Sequence, residues 1–186
     1  MKIAGKTYMS IFKSPLGDMF LTSDGESLIS VRFDFQKKPI YEYVAERKNS
    51  LKIFRETKKW LRSYFKGEDI PFPPMALSPY GTPFWCDVWR LVCTIPFGGI
   101  ITLEEVTKMI RLEEAWKNVT LSSVRVAVNQ NPMAIIVPTH RVIGHRRKFL
   151  NGDKMLETKL KLLKLEGIKL SKFSSTSRPK GYTGAL

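Results

Sequence analysis

The first 40 residues alternate between short apolar runs and turn residues. Apolar-rich runs over residues 7–12, 19–22 and 28–35 have the length of β-strands, and Ser14-Pro15-Leu16-Gly17 and Ser23-Asp24-Gly25 separate them. Glycine, proline, serine and aspartate between such runs are typical of tight turns. The pattern predicts a small antiparallel sheet.

A helix is predicted after the sheet, over residues 51–66. Its apolar positions recur with the spacing of one helical face, and Gly67 stands where a C-terminal cap belongs. Residues 68–81 contain four prolines, a composition typical of a linker. We therefore predict an N-terminal sheet-and-helix domain over residues 1–67 and a second domain over residues 82–186.

The second half begins with two well-marked helix starts. Thr82 followed by Pro83 combines an N-cap with the residue best tolerated at the first helical position, which predicts a helix over residues 84–93. Another helix is predicted to begin at Thr102, because Thr102 and Glu105 have the spacing of a capping box.

Two further helices are predicted over residues 121–130 and 154–166, with a buried strand over residues 133–137 between them. The predicted fold class is α+β, with a small N-terminal antiparallel sheet domain and a C-terminal helical domain. Two short helices before a strand permit a helix-turn-helix. Amphipathic helix pairs occur in many mixed folds, so this pattern alone is a weak signal.

The net charge of +14 changes the picture, because folding does not require it and self-repulsion opposes it. Nucleic acid is the first partner to expect, and an anionic membrane the second. A basic surface without a specific partner is the alternative. The sequence has no apolar run long enough to span a membrane and no secretory signal at its charged N-terminus, so we expect a cytoplasmic protein.

Cys86 and Cys93 are the two cysteines of the chain. On one helix they would be separated by about 10 Å of helical rise, which exceeds the reach of a disulfide. Two thiols without a second cluster also make no zinc site. Both are expected to be reduced, partly buried packing residues, and no metal is expected.

Several short stretches together form a recognisable set. They are SPLG at residues 14–17 with DG at 24–25, GTPF at 81–84 with VW at 88–89, TIPFG at 94–98, NPMAIIVPTHRVIG at 131–144 and LLKLEG at 162–167. In this order and spacing they resemble the alkylguanine-DNA alkyltransferases, and the resemblance covers nearly the whole chain.

The resemblance implies an N-terminal sheet-based domain that supports a C-terminal domain with a helix-turn-helix and an active-site pocket. Members of that family bind the DNA minor groove and flip an alkylated guanine into the pocket. They then transfer the alkyl group irreversibly to their own cysteine, without a cofactor.

The nucleophile is where this sequence departs from the family. The family pattern is PCHRVIG, and the cysteine position is Thr139 here. Asn131, His140 and Glu166 match the asparagine that braces the turn, the histidine that takes the thiol proton and the glutamate that orients it. A threonine hydroxyl is a far weaker acid than a thiol and its β-methyl crowds the approach, so we expect no self-alkylation. His140 is then expected to be a packed, hydrogen-bonded residue with Glu166 as its partner.

Three other family residues differ. The arginine that replaces the flipped base aligns with Ser122, the tyrosine that helps rotate the nucleotide aligns with Leu103, and a pocket tyrosine aligns with Gly152. About five extra residues lie around positions 113–118, within the predicted helix-turn-helix. We count Leu103 and the neighbouring Thr102 among the candidate DNA-binding residues.

A polar stripe is predicted on the third helix of the second half. Ser122, Arg125 and Asn129 share one face, opposite the apolar residues Leu121, Val124 and Val128. Arg125 is expected to contact phosphate or to substitute for the missing arginine. The basic residues Arg146, Arg147 and Lys148 in the loop after the pocket motif are expected to contact phosphate as well. An ordinary solvated charge is the alternative for each of them.

The leading interpretation is a non-catalytic protein that binds an alkylated base in double-stranded DNA and acts in DNA repair, with other repair proteins as further partners. A general DNA-binding or regulatory module that has lost lesion recognition is a second possibility. An active methyltransferase that uses another nucleophile is the third.

Overall fold

The computed structural model describes residues 6–36, 39–144 and 153–169. Its larger sheet contains β1 (Tyr8–Ser14), β2 (Gly17–Ser23), β3 (Leu28–Phe33) and the two-residue β4 (Glu46–Arg47), in the order β3-β2-β1-β4. The first three strands pair antiparallel, and β4 runs parallel to β1. The three predicted strands are confirmed, with bounds shifted by one or two residues.

The β1–β2 hairpin shows why the turn sequence matters. Ser14 Oγ accepts a hydrogen bond from the Leu16 backbone N–H at 3.1 Å and donates to the Gly17 carbonyl at 2.6 Å. Gly17 has a φ of 117°, a conformation that a side chain disfavours. The turn therefore depends on both the serine and the glycine.

Two short elements were not predicted, α1 (Ile40–Tyr43) and β4. Four and two residues are too short to show a periodicity. Both are positioned by contacts from distant parts of the chain, with β4 pairing to Tyr8 and Met9 and Glu42 of α1 buried against β3. Local sequence gives no signal for such elements.

The predicted first-half helix is α2 (Lys52–Phe65), which buries Ile53, Phe54, Leu61 and Tyr64. It ends at Phe65, one residue earlier than predicted, and Gly67 follows as the expected cap, with its N–H donating to the Tyr64 carbonyl at 2.9 Å. The proline-rich segment over residues 68–81 has no helix and packs back on the first half. Ser78 N–H donates to the Leu28 carbonyl at 2.8 Å.

The second half contains α3 (Pro83–Val92), α4 (Leu103–Ile110), α5 (Leu121–Asn129) and α6 (Asp153–Leu165). Thr82 caps α3, and the predicted capping box of Thr102 and Glu105 is present at α4. The extra residues between α4 and α5 include one turn of 3-10 helix, Glu114–Trp116, and the Trp116 indole donates to Asp87 at 2.8 Å. Two further unpredicted strands, β5 (Ile101–Thr102) and β6 (Val142–Ile143), pair in parallel.

The prediction of a strand over residues 133–137 is wrong. Met133 and Ala134 pair with Val31 of β3, but Ile135 then adopts a left-handed φ of 71° and the Val137 N–H donates back to the Met133 carbonyl at 2.9 Å. The segment is a tight buried turn. An apolar run of five residues is equally compatible with a strand or a buried turn, so the hydrophobic pattern could not distinguish them.

Buried apolar residues of the sheet, α2 and the second-half helices form one continuous cluster, from Phe12 through Val88 to Leu162. This shared core fixes the two halves against each other where β3 meets the turn. Among the described residues, no helix is long and apolar enough to cross a membrane.

Candidate functional site

Asn131, two residues after the end of α5, holds the buried turn in shape. Its Oδ1 accepts from the Met133 N–H at 2.8 Å, and its Nδ2 donates to the Val137 carbonyl at 3.0 Å and to Thr139 Oγ1 at 3.2 Å. A β-branched residue in the left-handed region is strained by about 1–2 kcal/mol, so Ile135 needs such support. Asn131 thus braces the turn and fixes the Thr139 side chain.

Thr139 begins a single turn of 3-10 helix, Thr139–Arg141, and is half-buried. It lies on the wall of a cavity of about 310 Å³, together with Asn131 and His140. The residues at the two ends of this stretch of the motif, Asn131 on one side and Thr139 with His140 on the other, therefore line one cavity.

Glu166, the residue after α6, collects hydrogen bonds from widely separated parts of the chain. Its buried carboxylate accepts from His140 Nε2 at 2.6 Å, from the Tyr64 hydroxyl at 2.7 Å and from Arg141 Nε at 2.8 Å. The Gly98 N–H donates at 3.2 Å. We call Glu166, His140, Arg141 and Tyr64 the Glu166 cluster.

The cluster contains an ionised carboxylate beside a neutral imidazole. Burial alone would raise the pKa of Glu166, but hydrogen bonds from His140 and Arg141 outweigh it and hold the pKa at about 2. Burial lowers the pKa of His140, and it raises the pKa of Tyr64. His140 is then a neutral imidazole that donates from Nε2 to Glu166 and keeps Nδ1 as an acceptor.

This order of groups is one that enzymes use to activate a nucleophile: a side chain at the cavity wall, a neutral histidine next to it and a carboxylate that orients the ring. His140 is buried as expected, and its predicted partner Glu166 is in place. The residue at the nucleophile's position is a threonine.

The other walls of the cavity combine Val128 and Asn129 of α5 with residues that the sequence did not single out for the site. These come from β3, the turn after it and α6: Phe33, Gln36, Met155, Thr158, Lys159 and Leu162. Lys159 is 5% exposed and donates to the Val142 carbonyl, and burial lowers its pKa to about 8. The sequence did contain a signal for this residue. Lys159 stands four residues after Met155 and three before Leu162, on the apolar face of α6, where a charged residue is unexpected.

The structure places the predicted stripe of α5 as expected. Ser122, Arg125 and Asn129 are exposed, while Val124 and Val128 are buried. Asn129 also reaches the cavity wall, so the stripe ends at the cavity mouth. Residues 145–152, which include Arg146, Arg147, Lys148 and Gly152, lie outside the described residues.

Two of the candidate DNA-binding residues at the start of α4 are engaged elsewhere. Leu103 is 1% exposed and belongs to the core, so the expectation that it touches DNA is wrong. The Thr102 hydroxyl accepts from the Glu105 N–H at 3.2 Å and donates to Glu105 Oε2 at 2.7 Å. At this helix start, packing and capping account for both side chains.

Cys86 and Cys93 are free and partly buried, as predicted. Burial raises the pKa of Cys93 to about 11, so its thiol is protonated near neutral pH. Cys93 borders a second cavity, of about 210 Å³, which also contacts Ile136 and Pro138 of the turn but not Thr139. Within the described ranges, no group of histidine, cysteine and acidic residues could hold a metal ion.

Comparison with known proteins gives consistent relatives. Residues 7–79 match the model described as "6-O-methylguanine DNA methyltransferase, ribonuclease-like domain", and residues 83–168 match its "DNA binding domain". A methylated-DNA–protein-cysteine methyltransferase of Methanosarcina acetivorans is 40% identical over 160 residues, covering 86% of this chain and 98% of the relative.

Solved structures agree. The O6-methylguanine methyltransferase of Mycobacterium tuberculosis has a TM-score of 0.74 at 28% identity, covering 86% of this chain and 92% of that one. A structure of M. tuberculosis OGT in complex with DNA has a TM-score of 0.73 at 29% identity, covering 89% and 94%.

Proposed function

The chain belongs to the methylated-DNA–protein-cysteine methyltransferase family, and we propose that it is a DNA-binding member that recognises an alkylated base without accepting the alkyl group. One observation carries the proposal. Thr139 occupies the nucleophile's position while the residues around it are arranged as such a site requires.

The chemistry argues against alkyl transfer. Displacement at a saturated carbon needs a strong, soft nucleophile, and neutral His140 is too weak a base to generate much alkoxide from a threonine hydroxyl. Neither cysteine replaces it. Cys93 is protonated and borders the other cavity, and Cys86 lies on α3 outside both cavity walls.

Base recognition is supported by the cavity and by the charge. A volume of about 310 Å³ falls at the lower end of the range typical of small-ligand pockets, and proteins that act on bases extrude them into such pockets. The net charge of +14 and exposed Arg125 favour phosphate contacts. The family match over residues 83–168 is to a DNA-binding domain.

The test is binding to a duplex with and without a single O6-methylguanine, followed by intact-mass measurement of the protein. We expect tighter binding to the modified duplex and an unchanged mass. A stoichiometric gain of one methyl group would overturn the proposal.

Two substitutions at one position make the mass test sharper. Thr139→Cys places a thiol beside the retained Asn131 and on the same cavity as His140, whose ring Glu166 holds, and we expect a mass gain. Thr139→Ser removes the β-methyl but keeps a hydroxyl, and we expect none. Transfer by the serine variant would show that crowding, rather than the identity of the nucleophile, silences the parent protein.

A general DNA-binding module is the second candidate, and buried Leu103 and short Ser122 favour it, because the resemblance expects a tyrosine and an arginine at these positions. It predicts equal affinity for the two duplexes. In both cases the logarithm of the affinity should fall linearly with the logarithm of the salt concentration, with a slope of about 0.9 for each phosphate neutralised.

The DNA-facing side is tested by Arg125→Ala, with Arg55→Ala, at an exposed position of α2, as the matched control. Loss of one phosphate contact should weaken binding and flatten the salt slope by about 1 for Arg125 alone. Replacing Arg146, Arg147 and Lys148 together should flatten it by up to about 3. If Arg125→Ala and the triple variant both bind like the parent, the DNA lies on another face.

A further inference from the structure

The first half of the molecule supplies part of the cavity wall. β3 runs beside the segment that leads into the turn, with the Val31 N–H donating to the Pro132 carbonyl at 2.8 Å and the Ala134 N–H donating to the Val31 carbonyl at 2.7 Å. β3 and the segment that leads to the turn therefore lie side by side at Val31. Phe33 and Gln36 both line the cavity that Thr139 lines.

A buried ion pair fixes the turn that carries Gln36. The Arg32 guanidinium binds the Glu42 carboxylate, with Nε at 2.7 Å from Oε2, and Nη1 donates to the carbonyls of Phe33 at 3.1 Å and Gln36 at 3.2 Å. Thr22 and Ser30 hydroxyls donate to Glu42 at 3.3 Å. We call Glu42, Arg32, Thr22 and Ser30 the Glu42 cluster. It connects the sheet, α1 and the turn.

The Gln36 amide is oriented as well. Its Oε1 accepts from the Phe33 backbone N–H at 2.7 Å, so the oxygen end is occupied. Its nitrogen, which carries two N–H donors, makes no hydrogen bond to another described residue. A half-buried side chain on a cavity wall thus offers donors whose direction the backbone fixes.

Alkylation of guanine changes which partner such a donor can bind. Guanine carries a hydrogen on N1, and in an O6-alkylguanine that hydrogen is gone, so N1 becomes an acceptor. A fixed amide donor would bind the alkylated base and repel the normal one. The positions where the resemblance expects polar tyrosines are Leu103, which is buried, and Gly152, so Gln36 would supply a contact that those residues cannot.

We propose that Gln36 is a specificity-determining residue, whose amide donates to the acceptor edge that O6-alkylation creates on a guanine held in the cavity. The N-terminal half then takes part in reading the lesion, with the Glu42 cluster positioning the residue that reads it. This inference rests on the proposed function.

The test variant is Gln36→Glu. Glutamate keeps an oxygen for the Phe33 N–H, so the turn retains its hydrogen bond, and it replaces the two donors by an acceptor. The measured quantity is the ratio of affinities for the O6-methylguanine duplex and the unmodified duplex. This ratio cancels the general effect of added negative charge on DNA binding. We expect it to fall about five- to tenfold, as for the loss of one hydrogen bond in a binding site.

Two controls accompany the variant. Ser50→Glu adds the same charge at an exposed residue that does not line the cavity, and its ratio should match the parent's. Gln36→Met, neutral and of similar shape, replaces Gln36→Glu if the melting temperature of the glutamate variant shows unfolding, and its ratio should fall likewise.

A change in the DNA tests the same contact from the other side. A duplex with O6-methyl-1-deazaguanine lacks the N1 acceptor. The affinity ratio of the parent should therefore fall by about the same factor on this duplex, and the ratio of Gln36→Glu should fall little further. If the parent distinguishes the modified duplex and Gln36→Glu does so equally well, the inference is overturned while the proposed function stands. If the parent itself does not distinguish the duplexes, the proposed function fails, and this inference fails with it.

Discussion

The Glu42 cluster and the Glu166 cluster are two solutions to one problem, a carboxylate buried beside an arginine. In both, the carboxylate is saturated by donors, and the arginine also donates to backbone carbonyls: Arg32 to those of Phe33 and Gln36, and Arg141 to that of Ile95 at 2.6 Å. The arginine in each cluster therefore links a buried charge to a loop that it holds in shape.

The two clusters differ in how far along the chain they reach. The members of the Glu42 cluster come from residues 22 to 42, within the sheet and α1. Those of the Glu166 cluster come from α2, the 3-10 turn and the end of α6, and Tyr64 is 102 residues from Glu166. The first cluster fixes one turn of the cavity wall, and the second joins the two halves of the molecule behind Thr139.

The largest expected effect is loss of either carboxylate. Glu42→Ala and Glu166→Ala each leave a buried arginine without its counter-charge, which should lower the free energy of unfolding by about 3–5 kcal/mol. Urea unfolding measures it, with exposed Glu68→Ala as a control that should change little. A loss under about 1 kcal/mol for Glu166→Ala would mean that its arginine finds water or another acceptor.

Stability measured in acid should isolate the contribution of the Glu166 cluster to the free energy of unfolding. The pKa of Glu166 in the folded state, about 2, lies below its ordinary 4.5, so its contribution is complete above pH 4.5 and is lost as the pH falls towards 2. The contribution is about 3 kcal/mol. Glu166→Gln, measured against the parent over this interval, should lack that part of the acid dependence. Parallel curves for the two proteins would contradict the assignment.

Alkali should reveal a buried cation, Lys159, near His140 of the Glu166 cluster. The pKa of Lys159, about 8, lies below its ordinary 10.5, so the folded protein binds fewer protons and the free energy of unfolding should rise between pH 8 and 10.5, by up to about 3 kcal/mol. Cys93 opposes this above pH 9, because its pKa is raised. Subtracting the curve of Lys159→Met cancels the cysteine term. A difference that stays flat with pH would refute the depressed pKa.

The smallest effects compare single hydroxyls. Tyr64 donates to ionised Glu166 at 2.7 Å, so Tyr64→Phe should cost about 1.5–3 kcal/mol. Thr22 donates to Glu42 at 3.3 Å, so Thr22→Val should cost less than about 1 kcal/mol. Thermal unfolding of the two variants ranks them. The reverse order would mean that the local cluster is the more tightly coupled one.

The sequence predicted those parts of the molecule whose signal is local. The three strands, α2 and the capping box of Thr102 follow from turn residues and helical spacing. The pairing of His140 with Glu166 and the bracing of the turn by Asn131 followed from the family motif. These features require only neighbouring residues or the spacing of a motif.

The remaining features depend on contacts that spacing does not encode. Tyr64 and Gln36 reach the site through the packing of β3 and α2 against the second half, so no periodicity marks them. The turn at Ile135 was predicted as a strand because its residues form an apolar run, and such a run marks burial in a strand and in a turn alike. Leu103 was assigned to the surface by alignment, whereas its place on the inward face of α4 puts it in the core.

The long reach of the Glu166 cluster has a consequence for how the protein is made. A ribosome releases the chain from its N-terminus, so Tyr64, Gly98 and Arg141 all emerge before their common partner. Lys159 and Leu162, which form the cavity's far wall, arrive only shortly before it. Contacts of such high sequence separation form late and slowly. A nascent chain that has not yet exposed α6 therefore contains the motif of the site but lacks one wall of the cavity, and it gains that wall and the hydrogen bonds to Glu166 together once α6 and the residue after it have emerged.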